Sequence, residues 1–391
     1  MNSRTTGFVA ALTTLAATGA GLGAAAAAAP APAAGNGTSY TPAISRDGRF
    51  VAFASDATNL VAGDTNGKRD IFIRDTVAKT TRRVSVGTGA KQANGSSFWP
   101  KISDNGRYIS FISSASNLVA GDTNRQADAF RVDTSSGAVT RLSVGAGGRQ
   151  ANGKTANLDM DATGTKFVFS STAGNLVSGD TNSTEDVFVR DVAAGTTKRI
   201  STYGGRQPVR GQVEKTTISP NGAFAGFTYK GGSANGSYEW TRSTNSVDMI
   251  YPDYLLEIGP ATNYGVSTWY SVYSEGSHCT YEDVDVPQAG GSLAIEMGAC
   301  SNYYAWAYDV NPAGTMVAMQ LEYPDNTLYL FDADTSFYDD DPEDVAIAAL
   351  PEFTTSFTLA SDGQSVVYAD DSGQIRKWTH KTGAIALIST S

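Results

Sequence analysis

Residues 42–55 read PAISRDGRFVAFAS, and residues 100–113 read PKISDNGRYISFIS. LDMDATGTKFVFSS at 158–171 and TTISPNGAFAGFTY at 216–229 follow the same pattern, and the four starting positions are spaced 58 apart. A second string travels with the first: NLVAGDTNGKRDIFIRD from Asn59, NLVAGDTNRQADAFRVD from Asn117 and NLVSGDTNSTEDVFVRD from Asn175. Two weaker copies come later, DVNPAGTMVAMQLE from Asp309 and TLASDGQSVVYADD from Thr358. Self-similarity at a long fixed period marks an architecture of stacked units, each burying its apolar face against a neighbour.

One unit reads as four short strands. Tyr40–Ser45 is the first, and Arg46-Asp47-Gly48 makes a tight turn with Gly where positive φ is needed. In the second, Phe50–Ser55, Val51 and Phe53 share one face while Phe50, Ala52 and Ala54 share the other. A strand apolar on both faces suits a sheet buried between neighbouring sheets. A loop carrying GDTN leads to the third strand, Asp70–Arg74, and Thr81–Val86 is the fourth. Four antiparallel strands per repeat predict an all-β chain folded as a β-propeller. A pair of β-sandwiches does not account for the period. The turns fall at 46, 104, 162, 220, near 312 and near 361. The wide gap between the fourth and fifth has room for a degenerate blade at 251–303, which makes seven four-stranded blades; six blades with an insertion is the alternative. Residues 35–391 are thus expected to form a single propeller domain. Ala384–Thr390 lacks a following first strand and Gly35–Ser45 lacks a preceding fourth one, so placing them side by side closes the ring and removes exposed edges.

The PxISxDGRxVAFxS string resembles the PD40 (WD40-like) repeats of TolB-like β-propellers. The likeness is close over residues 36–230 and looser over 305–390. It implies a propeller, and it implies no chemistry of its own. TolB carries a further domain ahead of its propeller, whereas repeats here begin soon after the leader, so a Tol-Pal role does not follow.

The N-terminus reads as an export signal. Arg4 supplies the positive charge, residues 7–28 are small and apolar, and Ala26 and Ala28 fit an A-x-A cleavage pattern. Residues 1–34 are therefore assigned to a signal peptide with an Ala/Pro-rich leader, and the protein to the secreted, extracellular space. The leader is too weakly hydrophobic for an anchor, and no other long apolar run follows, so stable membrane insertion is not expected. The chain of 391 residues has 39 Asp+Glu against 29 Lys+Arg, a formal net charge of −10, which argues against nucleic acid as partner. Two Cys and two His leave little for a metal or catalytic centre built from them. Cys279 and Cys300 are expected to pair in an oxidising compartment, closing a loop worth about 3 kcal/mol.

Successive connections of an antiparallel meander alternate sides. The GDTN loops and the links between blades therefore share one rim, which collects Gln92, Asn94, Gln150, Asn152 and Gln207 as candidate ligand-binding amides. The degenerate blade adds Trp269, Tyr270 and Tyr273, aromatics that stack on sugars or anchor proteins when exposed and fill a core when buried. The D-x-N-x-x-x-D spacing of Asp64, Asn66 and Asp70 recurs as Asp122, Asn124, Asp128 and as Asp180, Asn182, Asp186. Oxygen ligands at alternate loop positions suit Ca2+, and the string is similar to the calcium loops of integrin-type propellers, although shorter and without their Asp-Gly pair. Asp and Asn also build such turns by bonding their own backbone. The acidic run from Asp332 to Asp344 is a solvated insertion or a docking patch for a basic partner.

No GxSxG or HExxH string is present, and nothing marks His278 or His380 as catalytic. The expectation is a non-catalytic propeller that binds a protein or glycan through its loop-bearing rim. Two alternatives stand beside it. One is a polysaccharide-active hydrolase or lyase using rim carboxylates. The other is a subunit of an extracellular protein complex.

Overall fold

The computed structural model describes residues 33–391, apart from Ser183 and residues 203–210, 231–235, 252–254, 258–265, 274–278, 289–290, 300–304, 311–315, 322–327, 333–347 and 351–352. Residues Ala33–Ser391 form one compact unit.

That unit contains seven four-stranded antiparallel sheets, each an uninterrupted meander. The strands of a blade are called A to D in chain order. Blade 1 is Ser39–Ile44, Phe50–Ser55, Asp70–Asp75 and Thr80–Arg83. Blade 2 is Ser97–Ile102, Tyr108–Ser113, Asp128–Asp133 and Val139–Arg141. Blade 3 is Thr155–Met160, Lys166–Ser171, Asp186–Asp191 and Thr196–Arg199. Blade 4 is Gln212–Ile218, Phe224–Lys230, Gly236–Thr241 and Ser246–Tyr251. Blade 5 is Leu255–Glu257, Val266–Tyr273, Cys279–Gln288 and Gly291–Ala299. Blade 6 is Ala305–Val310, Met316–Leu321, Leu328–Asp332 and Ala348–Leu350. Blade 7 is Phe353–Leu359, Ser365–Asp370, Ile375–Thr379 and Ala384–Leu387. The wide gap between turn motifs thus holds a complete blade rather than an insertion.

Each A strand touches the A strands of the two adjacent blades, and those of blades 7 and 1 also meet. The A strands therefore make a closed inner wall. The core lies between blades. Val51, Phe53 and Phe72 pack towards blade 7 with Val367, Ala369 and Ile375. Ala52, Ala54, Ile71 and Ile73 pack towards blade 2 with Ile109, Phe111, Phe130 and Val132. In blades 1 to 4, strands B and C contribute one aromatic pair each at the same register: Phe53–Phe72, Phe111–Phe130, Phe169–Phe188 and Phe227–Tyr238, with ring centroids 5.3 to 6.0 Å apart. Each such ring contributes roughly 1.5–3 kcal/mol by burial. The A–B turns carry Gly48, Gly106, Gly164 and Gly222 at φ +65 to +69°, where a side chain is strained.

Ring closure reproduces the links between blades. Inside the chain, Val86–Gly87 pairs with Lys91–Gln92, and Val144 bridges Gln150. At the closure Thr390 bridges Ala34, Gly35 N–H donates to Ser389 O, and Ser391 N–H donates to Ala33 O. Asn59 Nδ2 donates to Ala34 O at 2.8 Å, as Asn117 donates to Gln92 O and Asn175 to Gln150 O. The two ends thus lie side by side, as expected. The D strand of blade 7 is its own segment, however, so the N-terminus lends it no strand and supplies half of a hairpin-like link instead.

The inter-blade face of blade 4 carries an irregularity. Glu239 occupies the position of Ile73 and Val189, is buried, and stands in register with Gly226 and Asp248. Burial, with the neighbouring Asp248 charge, pushes its carboxyl up to about 8. A carboxyl raised in the folded state favours folding below its unfolded value, and that contribution is lost as pH rises through the folded value. Glu239→Gln is therefore expected to raise the thermal midpoint above that of the natural chain at pH 9, with the difference shrinking towards pH 5. A difference independent of pH contradicts the assignment.

Candidate functional site

In blades 1 to 3 the rim motifs form a charge network internal to the blade. Arg83, on strand D of blade 1, places its guanidinium 2.8 Å from Asp64 and 3.3 Å from Asp70. Arg141 stands 3.4 Å from Asp122 and 3.7 Å from Asp128. Arg199 stands 3.1 Å from Asp180 and 3.7 Å from Asp186. The three Asp at the start of strand C are fully buried, and each accepts the hydroxyl of Ser85, Ser143 or Ser201. Asn66 and Asn124 donate Nδ2 to Asp70 and Asp128 at 2.8 and 3.1 Å, while Asn182 Oδ1 accepts from Thr184 N–H. Burial pushes Asp70 and Asp128 upward and Asp186 up to about 6, with the nearby Asp180 adding to the last. The cation facing these carboxylates is thus a guanidinium from the same sheet. Among the described residues no group of three or more His, Cys, Asp or Glu is placed to hold a metal ion.

The amides gathered on this rim bond within the protein. Gln92 accepts from the backbone of Thr65 and Asn66 and from Arg83, and it donates to Gly63 O and Thr65 Oγ1. Gln150 donates to Asp122 and Asp128. The Asn94 side chain exchanges bonds with Ser116, and the backbone N–H groups of Asn94 and Asn152 donate to the side chains of Asn117 and Asn175. The link and the GDTN loop therefore do share a rim, and the amides stitch one to the other. Gln207 and Cys300 lie outside the described residues. Trp269, Tyr270 and Tyr273 fall on strand B of blade 5, and Cys279 opens its strand C. Asp332 ends strand C of blade 6, and the rest of the acidic run lies outside the described residues.

Blade 7 shows how the network is dismantled. Ser389 remains, bonded to the side chain of Gln374, but Gln374 stands where Asp70 is and Leu387 where Arg83 is. Acid and base leave together, as expected if an unpaired buried charge is costly.

The inner wall departs from what folding alone requires. Every A strand has a register irregularity against its B strand. In blades 1 to 3 the irregular residue is Thr41, Trp99 or Asn157, with φ of +42, +52 and +46°. Non-glycine residues held there cost of order 1–3 kcal/mol each, and such strain gathers at functional positions. Trp99 is half exposed (50%), a large apolar side chain left open on the inner strand. Two residues on, Lys101 is 46% exposed and reaches Asp159 of blade 3 at 3.2 Å. Asp159 also accepts Ile218 N–H of blade 4, and Asn157 donates Nδ2 to Val213 O. These bonds tie the A strands of blades 2 to 4 into one stretch bearing Trp99, Lys101, Asn157, Asp159, Lys215 and, in the register gap of blade 4, the exposed Glu214. The sequence reading passed over Trp99; the signal that marks it is its repeat position, where neighbouring copies have Thr41 and Asn157. At the other end of the wall the A–B turns join: Arg46 N–H donates to Asp104 O, Asp104 N–H to Ala162 O, and Ala162 N–H to Pro220 O.

No family model and no curated protein matches the sequence. Solved structures do match. The oligogalacturonate lyase of Vibrio parahaemolyticus is 13% identical, with TM-score 0.54, covering 91% of this chain and 90% of that one. The Cps50 (Swd1) β-propeller domain of Myceliophteria thermophila is 10% identical, with TM-score 0.50, covering 88% and 98%. TolB of Acinetobacter baumannii is 17% identical, with TM-score 0.38, covering 64% of this chain and 52% of that one. The fold is a β-propeller. At these identities the likeness extends to the fold alone.

The rim network makes two expectations testable by denaturation. Arg83→Met strands two buried carboxylates and should cost about 3–5 kcal/mol in urea unfolding. Copying blade 7 by combining it as Arg83→Leu with Asp70→Gln and Asp64→Asn should recover most of that loss. With a guanidinium in place, EDTA is expected to leave the thermal midpoint where it was; a fall reversed by Ca2+ restores the calcium reading of these loops.

Proposed function

We propose that this protein is a secreted, non-catalytic β-propeller that binds a protein or glycan ligand, and that the ligand meets the inner strands of blades 2 to 4 rather than the amide-rich rim. The reading rests chiefly on Trp99. A half-exposed indole on the inner strand, held at positive φ, contributes little to burial and is costly to maintain. Indole faces serve as anchors for sugars and for protein partners. The rim amides point the same way by elimination, since Gln92, Asn94 and Gln150 give their bonds to the fold. The leader, Arg4 followed by a small apolar stretch and an A-x-A pattern, supports export.

The test compares the natural chain with Trp99→Ala on a glycan array and against defined extracellular proteins. Loss of at least about tenfold in affinity is expected, the size typical of a truncated aromatic anchor. The thermal midpoint should change little, because the ring is half exposed. A ligand bound equally by both chains removes the inner-wall site, and release of shortened products from a bound glycan removes the non-catalytic reading.

A further inference from the structure

We infer that the cavity beside the outer strand of blade 2, in the seam with blade 1, receives an arginine side chain from a partner polypeptide. The seams on either side show what this place takes. The fifth residue of strand C is Arg74 in blade 1, Val132 in blade 2 and Arg190 in blade 3. Arg74 Nη1 donates to Thr81 Oγ1 at 2.9 Å, to Ser391 O at 3.1 Å and to Thr390 O at 3.5 Å. Arg190 Nη1 donates to Gly195 O at 3.0 Å and to Thr197 Oγ1 at 3.1 Å. Both threonine hydroxyls pass a bond on, to Thr390 O and to Val144 O, in the link that arrives from the preceding blade. A guanidinium and a hydroxyl thus fill the outer end of each of these two seams.

Blade 2 departs from this arrangement. Its strand C reads Phe130-Arg131-Val132, where its neighbours read Phe72-Ile73-Arg74 and Phe188-Val189-Arg190, so its guanidinium moves to the opposite face. Arg131 Nη1 donates to Gly164 O of blade 3 at 3.0 Å and lies over the Tyr108 ring. Val132 and Val139 stand where Arg74 and Thr81 stand in blade 1, and neither side chain can donate. The Val86 carbonyl, counterpart of Thr390 O and Val144 O, therefore receives no hydroxyl from position 139. What opens there is a cavity of about 540 Å3, room for a long side chain and its flanking peptide groups. Val86, Gly87, Gly137 and Val139 line it. They are the counterparts of Thr390, Ser391, Gly195 and the two threonines, which are the groups that hold Arg74 and Arg190. No charged side chain lines the wall, and Arg82 of blade 1 spends Nη2 on Thr134 O at 3.0 Å. Thr88–Ala90 and residues 136–138 form small, exposed lips, which leave the entrance open. Leu118 and Val119 offer apolar contact to an aliphatic stem. A planar guanidinium reaches several carbonyls at once, which an ammonium does less well. The formal net charge of −10 favours the approach of a cationic partner.

The test titrates the full chain with the peptide acetyl-Gly-Arg-Gly-amide and follows amide chemical shifts. Saturable binding with a Kd of about 1 mM or tighter is expected, the scale for one anchored side chain. The shifts should gather at the lining residues, 86–90, 118–120 and 136–139. The same peptide with citrulline for arginine, alike in shape but uncharged, should bind about tenfold more weakly, the scale of a lost charged hydrogen bond. Val132→Arg combined with Val139→Thr gives blade 2 the pair its neighbours carry. It should abolish binding without lowering the thermal midpoint. Shift mapping on the natural chain locates the site without any variant, so the inference stays open to refutation if the double substitution does not fold. Absence of saturable binding, or shifts gathered elsewhere, overturns the site. Undiminished binding to the folded double variant does the same. Equal binding of the citrulline peptide overturns the guanidinium assignment.

Discussion

A four-stranded sheet with apolar side chains on both faces cannot satisfy either face alone, and this constraint governs the whole molecule. Val51 and Phe53 look towards one neighbour, and Ala52 and Ala54 towards the other. Adding another blade only moves the uncovered face along the chain. Closing the ring removes it. Closure is made with the same hydrogen bonds that join consecutive blades, so the segments at Ala33–Gly35 and Ser389–Ser391 meet as the two arms of an internal link do.

The second constraint is electrostatic and local. Long GDTN loops bring carboxylates onto a rim next to buried strand ends, where charge is costly. Strand D of the same blade answers with one arginine, and serines and amides take up further lone pairs. In blades 1 to 3 the result is a pinned loop and a rim largely occupied by its own bonds. What the fold leaves over lies on the inner wall, where the strands are bent by irregular pairing and where Trp99 stands open.

The architecture was readable because period, turn glycines and two-faced strands all report on backbone and burial, which are local. The four-strand order of a blade followed from Val51, Phe53, Gly48 and their copies, but the fourth strand, read as Thr81–Val86, ends at Arg83, because Val86–Gly87 pairs with Lys91–Gln92 in the link to the next blade. The arginine partners were harder to see, although R-x-S recurs at Arg83–Ser85, Arg141–Ser143 and Arg199–Ser201. Arginine in an outer strand reads as solvated until the loop is known to fold over it. For Gln92 and Asn94 the sequence placed them on the proper rim, but whether an amide is free depends on backbone groups 22 to 29 residues away, the carbonyl of Gly63 and the N–H of Ser116. Trp99 was hidden for a different reason: an aromatic in a strand reads as core, and only the positive φ of its position turns it outward.

The equivalence of the closure to an internal link is the claim from which the rest follows, and circular permutation addresses it most directly. The chain would be opened within residues 88–90, the turn of the first inter-blade link, and Ser391 joined to Ala33 by a short glycine-containing turn. Denaturation followed by both circular dichroism and tryptophan fluorescence should give one cooperative transition, with a midpoint close to that of the natural chain. Two separate transitions, or a permuted chain that fails to fold while its ends remain soluble, would contradict a ring whose blades are mutually and equivalently supported.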